Sequence, residues 1–407
     1  MSNCRFCKTH LTDLVLDLGE QPFSNSYVTP GAQAHERRYP LCVWVCGRCL
    51  LVQTDFDAPA DEIFSADYAY FSSYSTSWVE HARRYADAMA TRFGLHAGSL
   101  VVEVASNDGY LLQHFVARGI PVLGVEPTRG TAEAAIAKGV RTRVAFFGEA
   151  FATALKSETG GADLIAANNV LAHVPDIADF TRGFAALLKP DGVATFEFPH
   201  VQRLLEGLQF DTIYHEHYSY LSLQAVETIF AAAGLRVFDV EELPTHGGSL
   251  RVYAARKDSR HTIVPRVAQI RQAERAAGLQ TTAGYGALAP RVGRVREAFN
   301  AFLGEARASG KTVAAYGAAA KGNTLLNYCG TGIRDIAFVA DANTAKQGKL
   351  LPGSHIPIVS PAELLARKPD YVVILPWNLK AEIAEQMKSI RAWGGKFVIA
   401  IPDLSVF

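Results

Sequence analysis

The densest run of titratable side chains in the chain is Asp211-Thr212-Ile213-Tyr214-His215-Glu216-His217-Tyr218-Ser219-Tyr220. Histidine and tyrosine exchange protons, and a neighbouring carboxylate can fix an imidazole tautomer or raise its basicity, so Tyr214, Glu216 and His217 are candidates for acid–base work. The His215-x-His217 spacing could instead hold a metal if extended, because alternate strand residues share a face, although no third ligand motif accompanies it. A structural loop rich in hydrogen-bonding rings is the plain alternative.

A different chemistry is written in the cysteines. Four of the six fall into two pairs, Cys4-x-x-Cys7 and Cys46-x-x-Cys49. Each pair can set two thiolates on one tight turn, and two such knuckles close a tetrahedral zinc site; four sulfur ligands make the metal structural rather than catalytic. Gly47 is expected to loosen the second turn so that backbone amides face the sulfurs, and the long gap between knuckles to carry a β-rich insert. A redox pair or buried free thiols are the alternatives; Cys42 is a spare candidate, and Cys329 reads as a small buried hydrophobe.

A third set of candidates needs a β-α-β unit to position it. Leu100-Val101-Val102-Glu103-Val104 reads as a strand, Ala105-Ser106-Asn107-Asp108-Gly109-Tyr110 as a tight turn into a helix, and Pro121-Val122-Leu123-Gly124-Val125 as a second strand ending at Glu126. A carboxylate there can accept both hydroxyls of a ribose. Gly109 is the turn's one clear glycine, so the three-glycine fingerprint of pyrophosphate binding is missing and a nucleoside without phosphates fits better. A Rossmann-like crossover without ligand is the alternative. The stretch 161–174 reads as a further strand ending in Asn168 and Asn169, which places these and His173 at the same rim; His173 could equally brace its loop. Ahead of this unit, residues 55–78 are rich in Tyr and Ser, including Tyr68, and suit a polar pocket wall or an aromatic surface loop; residues 78–93 are an amphipathic helix. Alternating helices and strands continue to a last strand pair, 235–240 and 249–255, giving seven strands. The glycines in Thr245-His246-Gly247-Gly248 read as a turn.

After a helical stretch, 261–310, that bridges two domains, a second β-α-β signal begins. Thr312-Val313-Ala314-Ala315-Tyr316 leads into Gly317-Ala318-Ala319-Ala320-Lys321-Gly322-Asn323 and a helix. Small residues before Lys321 would let backbone amides face a phosphate, with Lys321 adding charge, although the G-K-[ST] ending of a P-loop is absent. Strand ends at Asp341, Pro376 and Pro402 complete a nucleotide-sized crevice, or a purely structural domain.

Composition narrows the function classes. With 407 residues, 49% hydrophobic, and 40 basic against 40 acidic side chains, the chain has enough core for two or three domains and no electrostatic footprint for nucleic acid or an anionic membrane. It lacks a membrane-length apolar run and a signal-like N-terminus, so a cytoplasmic protein is expected, with a monomer preferred.

Together, the four-cysteine N-terminus, the Glu103-Val104-Ala105-Ser106-Asn107-Asp108-Gly109 turn, the Tyr214-His215-Glu216-His217 cluster and the Gly317-Ala318-Ala319-Ala320-Lys321-Gly322-Asn323 loop resemble the SAM-dependent sugar C-methyltransferases. The resemblance covers essentially the whole chain. It implies an α/β protein of three parts: a small zinc-binding domain (1–70), a class I Rossmann-like domain for S-adenosylmethionine (SAM; 71–260) and a C-terminal Rossmann-like domain holding a nucleotide-sugar (261–407). The implied substrate is a nucleotide-linked 4-keto deoxysugar, dTDP-linked by preference, methylated at C3 or in some members C5. Glu103 would lie near the methionine amino group and Glu126 on the ribose, with Ser106, Asn107, Asp108, Gly109, Asn168 and Asn169 around the cofactor. His217 is the expected base, Glu216 its orienter or a sugar anchor, and Tyr214 a donor or proton carrier. Tyr68 and His173 are secondary on the sugar side, and Tyr316, Gly317, Lys321 and Asn323 meet the nucleotide-sugar. The competing readings are a nicotinamide-dependent nucleotide-sugar oxidoreductase, whose three-glycine turn is absent, and a non-catalytic zinc-ribbon module.

Overall fold

The computed structural model describes residues 2–56 and 71–407. Its largest sheet orders its strands Leu235–Leu243, Ser249–Arg256, Leu188–Pro199, Ala162–Asn168, Val101–Val104, Val122–Glu126 and Thr142–Val144. The last five are mutually parallel, while Ser249–Arg256 runs antiparallel to both its neighbours. Parallel strands must bury both faces, which explains their unbroken apolar runs. On one face Val102, Val104, Leu123 and Ile165 pack against Leu155, Phe184, Ile229 and Ile270 of four helices. On the other, Val101, Leu164 and Ala166 meet Ala82, Tyr85 and Met89 of the helix Thr76–Phe93. The chain reverses direction across the sheet between Val101–Val104 and Ala162–Asn168. Open α/β sheets form their ligand crevice at such a switch point.

The C-terminal sheet repeats the design in the order Ile358–Val359, Val339–Ala340, Val313–Tyr316, Tyr371–Ile374, Lys396–Ile399, Ser405–Val406, parallel except for its last strand. Its switch point lies between Val313–Tyr316 and Tyr371–Ile374, bringing the loop after Tyr316 against Pro376. Gly317 is obligatory there, with φ at +87° and a position where a Cβ would lie 2.5 Å from the proline ring.

The helical bridge divides between the two sheets. Pro265–Ala276 buries Val267 and Ile270 in the central core, whereas Leu288–Ala308 buries Val292, Phe299 and Leu303 in a core shared by the N- and C-terminal sheets.

The N-terminal sheet pairs Asp13–Gln21, Tyr39–Val45 and Val52–Thr54, all antiparallel, and takes its fourth strand, Ser219–Tyr220, from far along the chain. The segment after Tyr214 is thereby clamped: Gln53 pairs with Ser219, the Thr54 amide donates to the Tyr218 carbonyl, and the Tyr218 amide donates to Ala172. No helix among the described residues is long and apolar enough to cross a membrane.

Candidate active site

The turn after Glu103 is built from strained backbone. Ala105, Asn107 and Gly109 all take positive φ, at 56°, 49° and 77°, a concentration that marks a loop held for a purpose. Part of what holds it is Glu126, whose carboxylate accepts the Asn107 and Thr128 amides, each at 2.9 Å. A second clamp comes from the segment just before the first helix: the Ser72 amide donates to Asn107 Oδ1 at 2.9 Å, and Lys138 Nζ reaches Asp108 Oδ2 at 3.0 Å. Asn107 and Asp108 therefore shape the crevice with side chains already engaged.

Other groups at this rim await a partner. Ser106 Oγ and the side-chain oxygens of Asn168 and Asn169 are buried without a hydrogen-bond partner among the described residues, and the Glu103 carboxylate is buried beside Tyr110. Burial raises the Glu103 pKa well above the ordinary carboxylate value. Orphaned acceptors are expensive, and so many at one switch point fit a polar ligand bearing an ammonium and hydroxyls. The donor set suits SAM. Trp78 extends the wall, stacking on His81 at 4.8 Å and meeting the edge of His246 at 5.4 Å.

His246 belongs to the site, against the expectation of a simple turn. Its φ is 54°, its Nε2 meets the Asn169 amide at 3.3 Å, and burial pushes its pKa down to about 4. Beneath it, the wholly buried Glu197 accepts from His81 at 3.0 Å, Arg251 at 2.9 Å and Thr245 at 3.0 Å. Burial works against the Glu197 charge, but the His81 hydrogen bond and the Arg251 charge outweigh it and hold the pKa at about 2. An acid inside the apolar run Thr195-Phe196-Glu197-Phe198 was the available signal for this network, since such a group must find a cation.

His217 packs its ring 4.0 Å from Tyr214 and 4.6 Å, edge-on, from His173. Nδ1 lies 2.7 Å from the Thr212 carbonyl. The carbonyl can only accept, so Nδ1 carries the proton and Nε2 is the basic nitrogen. Burial, with the charges of His173, His246 and Lys321, lowers the His217 pKa well below its ordinary value. The resting imidazole is neutral. His173 is pushed by burial to about 4, with its Nδ1 buried and unpartnered among the described residues.

Glu216 does not orient His217. Its carboxylate accepts instead from the Asn25 amide at 3.0 Å, and Oε2 is buried without a hydrogen-bond partner among the described residues. His215 turns away into a cage of Phe23, Tyr39 and Phe56, where Nε2 donates to the Pro40 carbonyl at 3.2 Å. The His-x-His metal reading fails with it, since the four cysteines are the one metal-suited cluster among the described residues. Tyr68 lies outside the described residues.

The C-terminal loop departs from a phosphate cradle. The Ala318 amide is taken by Asp341 Oδ2 at 2.7 Å, and Asn323 donates to the Ser24 carbonyl at 2.6 Å. Tyr316 ends its strand with a buried hydroxyl that has no hydrogen-bond partner among the described residues, beside Asp341 and Glu382.

In the N-terminal domain, Cys4 and Cys49 sulfurs lie 3.6 Å apart, those of Cys7 and Cys46 3.5 Å, and all four within 4.8 Å of one another. Sulfurs bound at 2.3 Å in a tetrahedron stand about 3.8 Å apart, so the set fits zinc. Gln53 donates to Cys4 at 3.3 Å, and backbone amides of Phe6, Cys7, Arg48 and Cys49 face Cys4 and Cys46. The left-handed residues that permit this are Lys8 and Leu50, at φ 62° and 58°. Gly47 is not among them: the reversal falls one residue past each second cysteine. Cys42 stands apart beside Asp17, and Cys329 is buried in the core.

Residues 4–64 match a domain family described as zinc binding, 78–240 a methyltransferase domain, and 244–402 the C-methyltransferase C-terminal domain. C-methyltransferase NovU of Streptomyces niveus is 39% identical over 404 residues, covering 99% of this chain and 96% of its own. The chain belongs to the C-methyltransferase family. Ubiquinone biosynthesis O-methyltransferase of Ralstonia nicotianae is 33% identical to this C-methyltransferase over 106 residues, 26% of this chain and 44% of its own. A Burkholderia thailandensis 1,6-didemethyltoxoflavin-N1-methyltransferase structure overlaps 51% of the C-methyltransferase and 95% of its own chain, at 21% identity and a TM-score of 0.37. The enzyme is a SAM-dependent C-methyltransferase with a zinc-binding N-terminal domain, which displaces the oxidoreductase and binding-module readings.

Proposed function

We propose that the enzyme methylates the carbon beside the ketone of a nucleotide-linked 4-keto deoxysugar, dTDP-linked and at C3, to give a branched sugar. A carbon next to a ketone is acidic because its carbanion delocalises onto oxygen, so the reaction needs a base at that carbon and donors near the oxygen. The observation that carries the reading is the His217 tautomer, with Nδ1 committed to Thr212 and Nε2 left as the basic nitrogen of a ring whose titratable neighbours include His173, His246 and Lys321. Tyr214, tilted against that ring, donates to the developing oxyanion or carries the proton, Glu216 anchors the sugar, and Tyr68 and His173 are the secondary candidates for work on the sugar. SAM, when bound, supplies a methyl group on a sulfonium that needs alignment more than activation. Glu103 and Glu126 hold its amino group and ribose, with residues 106–109, Asn168 and Asn169 around them.

The C-terminal domain, taken as 261–407, holds the nucleotide-sugar through Tyr316, Gly317, Lys321 and Asn323, beside a SAM domain at 71–260 and a zinc domain at 1–70. A thiolate zinc site also favours a reducing compartment, so we place the enzyme in the cytoplasm, as a monomer.

Deuterium exchange tests the base. In deuterated water with S-adenosylhomocysteine in place of SAM, the enzyme should wash deuterium into the carbon beside the ketone. In His217→Asn, exchange and methylation should fall together by about 10²–10⁴-fold. Exchange at the wild-type rate without methylation would make His217 an aligning residue and pass the base to Tyr214.

A further inference from the structure

The Lys321 side chain is engaged on the loop that follows the strand Tyr371–Ile374. Its Nζ donates to Asn378 Oδ1 at 2.8 Å and lies 4.7 Å from the centre of the Trp377 ring. The Trp377 indole donates to Asp211 Oδ2 at 2.8 Å, and its ring edge presses on Gly247, where a Cβ would sit 2.6 Å away. Asp211 precedes Thr212, whose carbonyl sets the His217 tautomer, and Gly247 follows His246, which contacts Asn169. Lys321 is thus held where the C-terminal domain meets the methyl-transfer crevice, and both His217 and His246 feel its charge.

The company Lys321 keeps decides what it can bind. Asp211 is wholly buried and its Oδ1 has no hydrogen-bond partner among the described residues. A carboxylate beside the lysine repels a diphosphate, whose several negative charges would be opposed by Asp211. The same pair suits a neutral ketone that gains one negative charge as it reacts, because the cation is already fixed in place by Asn378 and Trp377.

We propose that Lys321 is a catalytic residue that donates a hydrogen bond to the keto oxygen of the bound sugar and stabilises the enolate. This rests on the ketosugar reading above and assigns Lys321 to the reacting end of that substrate. The proton leaves carbon for His217 Nε2, the C–H pair becomes the C=C bond, and the carbonyl π pair moves to oxygen, facing the ammonium of Lys321. On methylation the ketone re-forms, the carbon pair bonds the methyl group, and the S–CH₃ pair remains on sulfur. Lys321 stays protonated throughout.

Lys321→Gln and Asn378→Ala in the full chain test this, with exchange into a thymidine-diphosphate-linked 4-keto deoxysugar, kcat, KM and the Kd of thymidine diphosphate alone as readouts. Lys321→Gln should slow exchange and kcat together by about 10²–10³-fold, with thymidine diphosphate affinity within threefold of wild type. Asn378→Ala, which frees Nζ while keeping its charge, should lower kcat by a smaller factor at unchanged nucleotide affinity. A tenfold or greater loss of thymidine diphosphate affinity with kcat intact in Lys321→Gln would make it a phosphate ligand and overturn the assignment. Unchanged kcat and exchange in both variants would overturn it too. A wild-type enzyme inert toward 4-keto sugars removes the substrate reading itself, and this assignment with it.

Discussion

Glu103 offers a direct test of how the crevice receives its cofactor. The carboxylate is buried on the central strand, and burial, with the charges of Glu126 and Asp108, outweighs a Tyr110 hydrogen bond and raises its pKa well above the ordinary value. Between that ordinary value and the raised one, the folded enzyme keeps a proton that the unfolded chain has released. The free enzyme therefore loses stability as pH rises through this window. An ammonium arriving beside the carboxylate reverses the preference by favouring the charged form. SAM binding should then expel up to one proton per site, and its affinity should rise by up to tenfold per pH unit until the free-enzyme pKa is passed. Calorimetry in two buffers of different ionisation enthalpy reads the release directly, at a pH of about 6.5 where an amino group of pKa about 7.7–8.0 is still charged. Glu103→Gln keeps the shape without the titration, so proton release should vanish. Above the titration the loss of a charge-assisted pair should weaken SAM by about 1.5–3 kcal/mol, roughly 10–150-fold. Buffer-independent binding by the wild type, or the same release from Glu103→Gln, refutes the reasoning.

Glu197, held at a pKa of about 2 against an ordinary 4.5, should contribute about 3 kcal/mol that is present above pH 4.5 and lost as pH falls toward 2; urea midpoints that decline as steeply with acid in Glu197→Gln as in wild type would contradict this. Glu126→Ala should weaken SAM by about 1.5–3 kcal/mol in calorimetry and also lower the melting temperature, because it strands the Asn107 and Thr128 amides; wild-type SAM affinity would remove Glu126 from the site. Elemental analysis of chelator-free protein should find one zinc per chain, and Cys46→Ser should release it, lower the melting temperature and slow methylation; metal-free native protein would end the zinc assignment.

The elements with strong local signals were legible. Alternation of apolar runs located both Rossmann-like sheets, and the knuckle spacing located the metal ligands, because each depends on neighbours within a few residues. His246, His81 and Arg251 were not legible as a group. Glu197 joins His81 and Arg251 across 116 and 54 residues, and no short-range pattern encodes such a closure. Lys321 was found as a residue but its side-chain direction was not legible, since its orientation is set by Trp377 and Asn378 on a different loop. Glu216 and His217 are one residue apart yet serve different partners, Asn25 and Thr212. Adjacency in a loop fixes proximity of backbone and leaves side-chain direction to the tertiary contacts.

Those contacts give the zinc domain a part in the chemistry. Gln53 donates to the Cys4 sulfur, accepts the Arg5 amide at 2.7 Å, and pairs through its backbone with Ser219. Arg5, from inside the first knuckle, reaches the Pro175 carbonyl beyond His173 and lies 4.9 Å over the Tyr218 ring. Asn25, from the same domain, holds Glu216. The strand Ser219–Tyr220 is short, and two residues of ladder are too few to fix the preceding turn alone. What fixes it is the neighbouring strand Val52–Thr54, which the second knuckle leads into and which Gln53 ties to a metal ligand. A tetrahedral metal site rigid in both knuckles is then a long lever on the orientation of His217, and its loss should reach the reaction through the backbone between Thr212 and Ser219 rather than through any change at the SAM crevice.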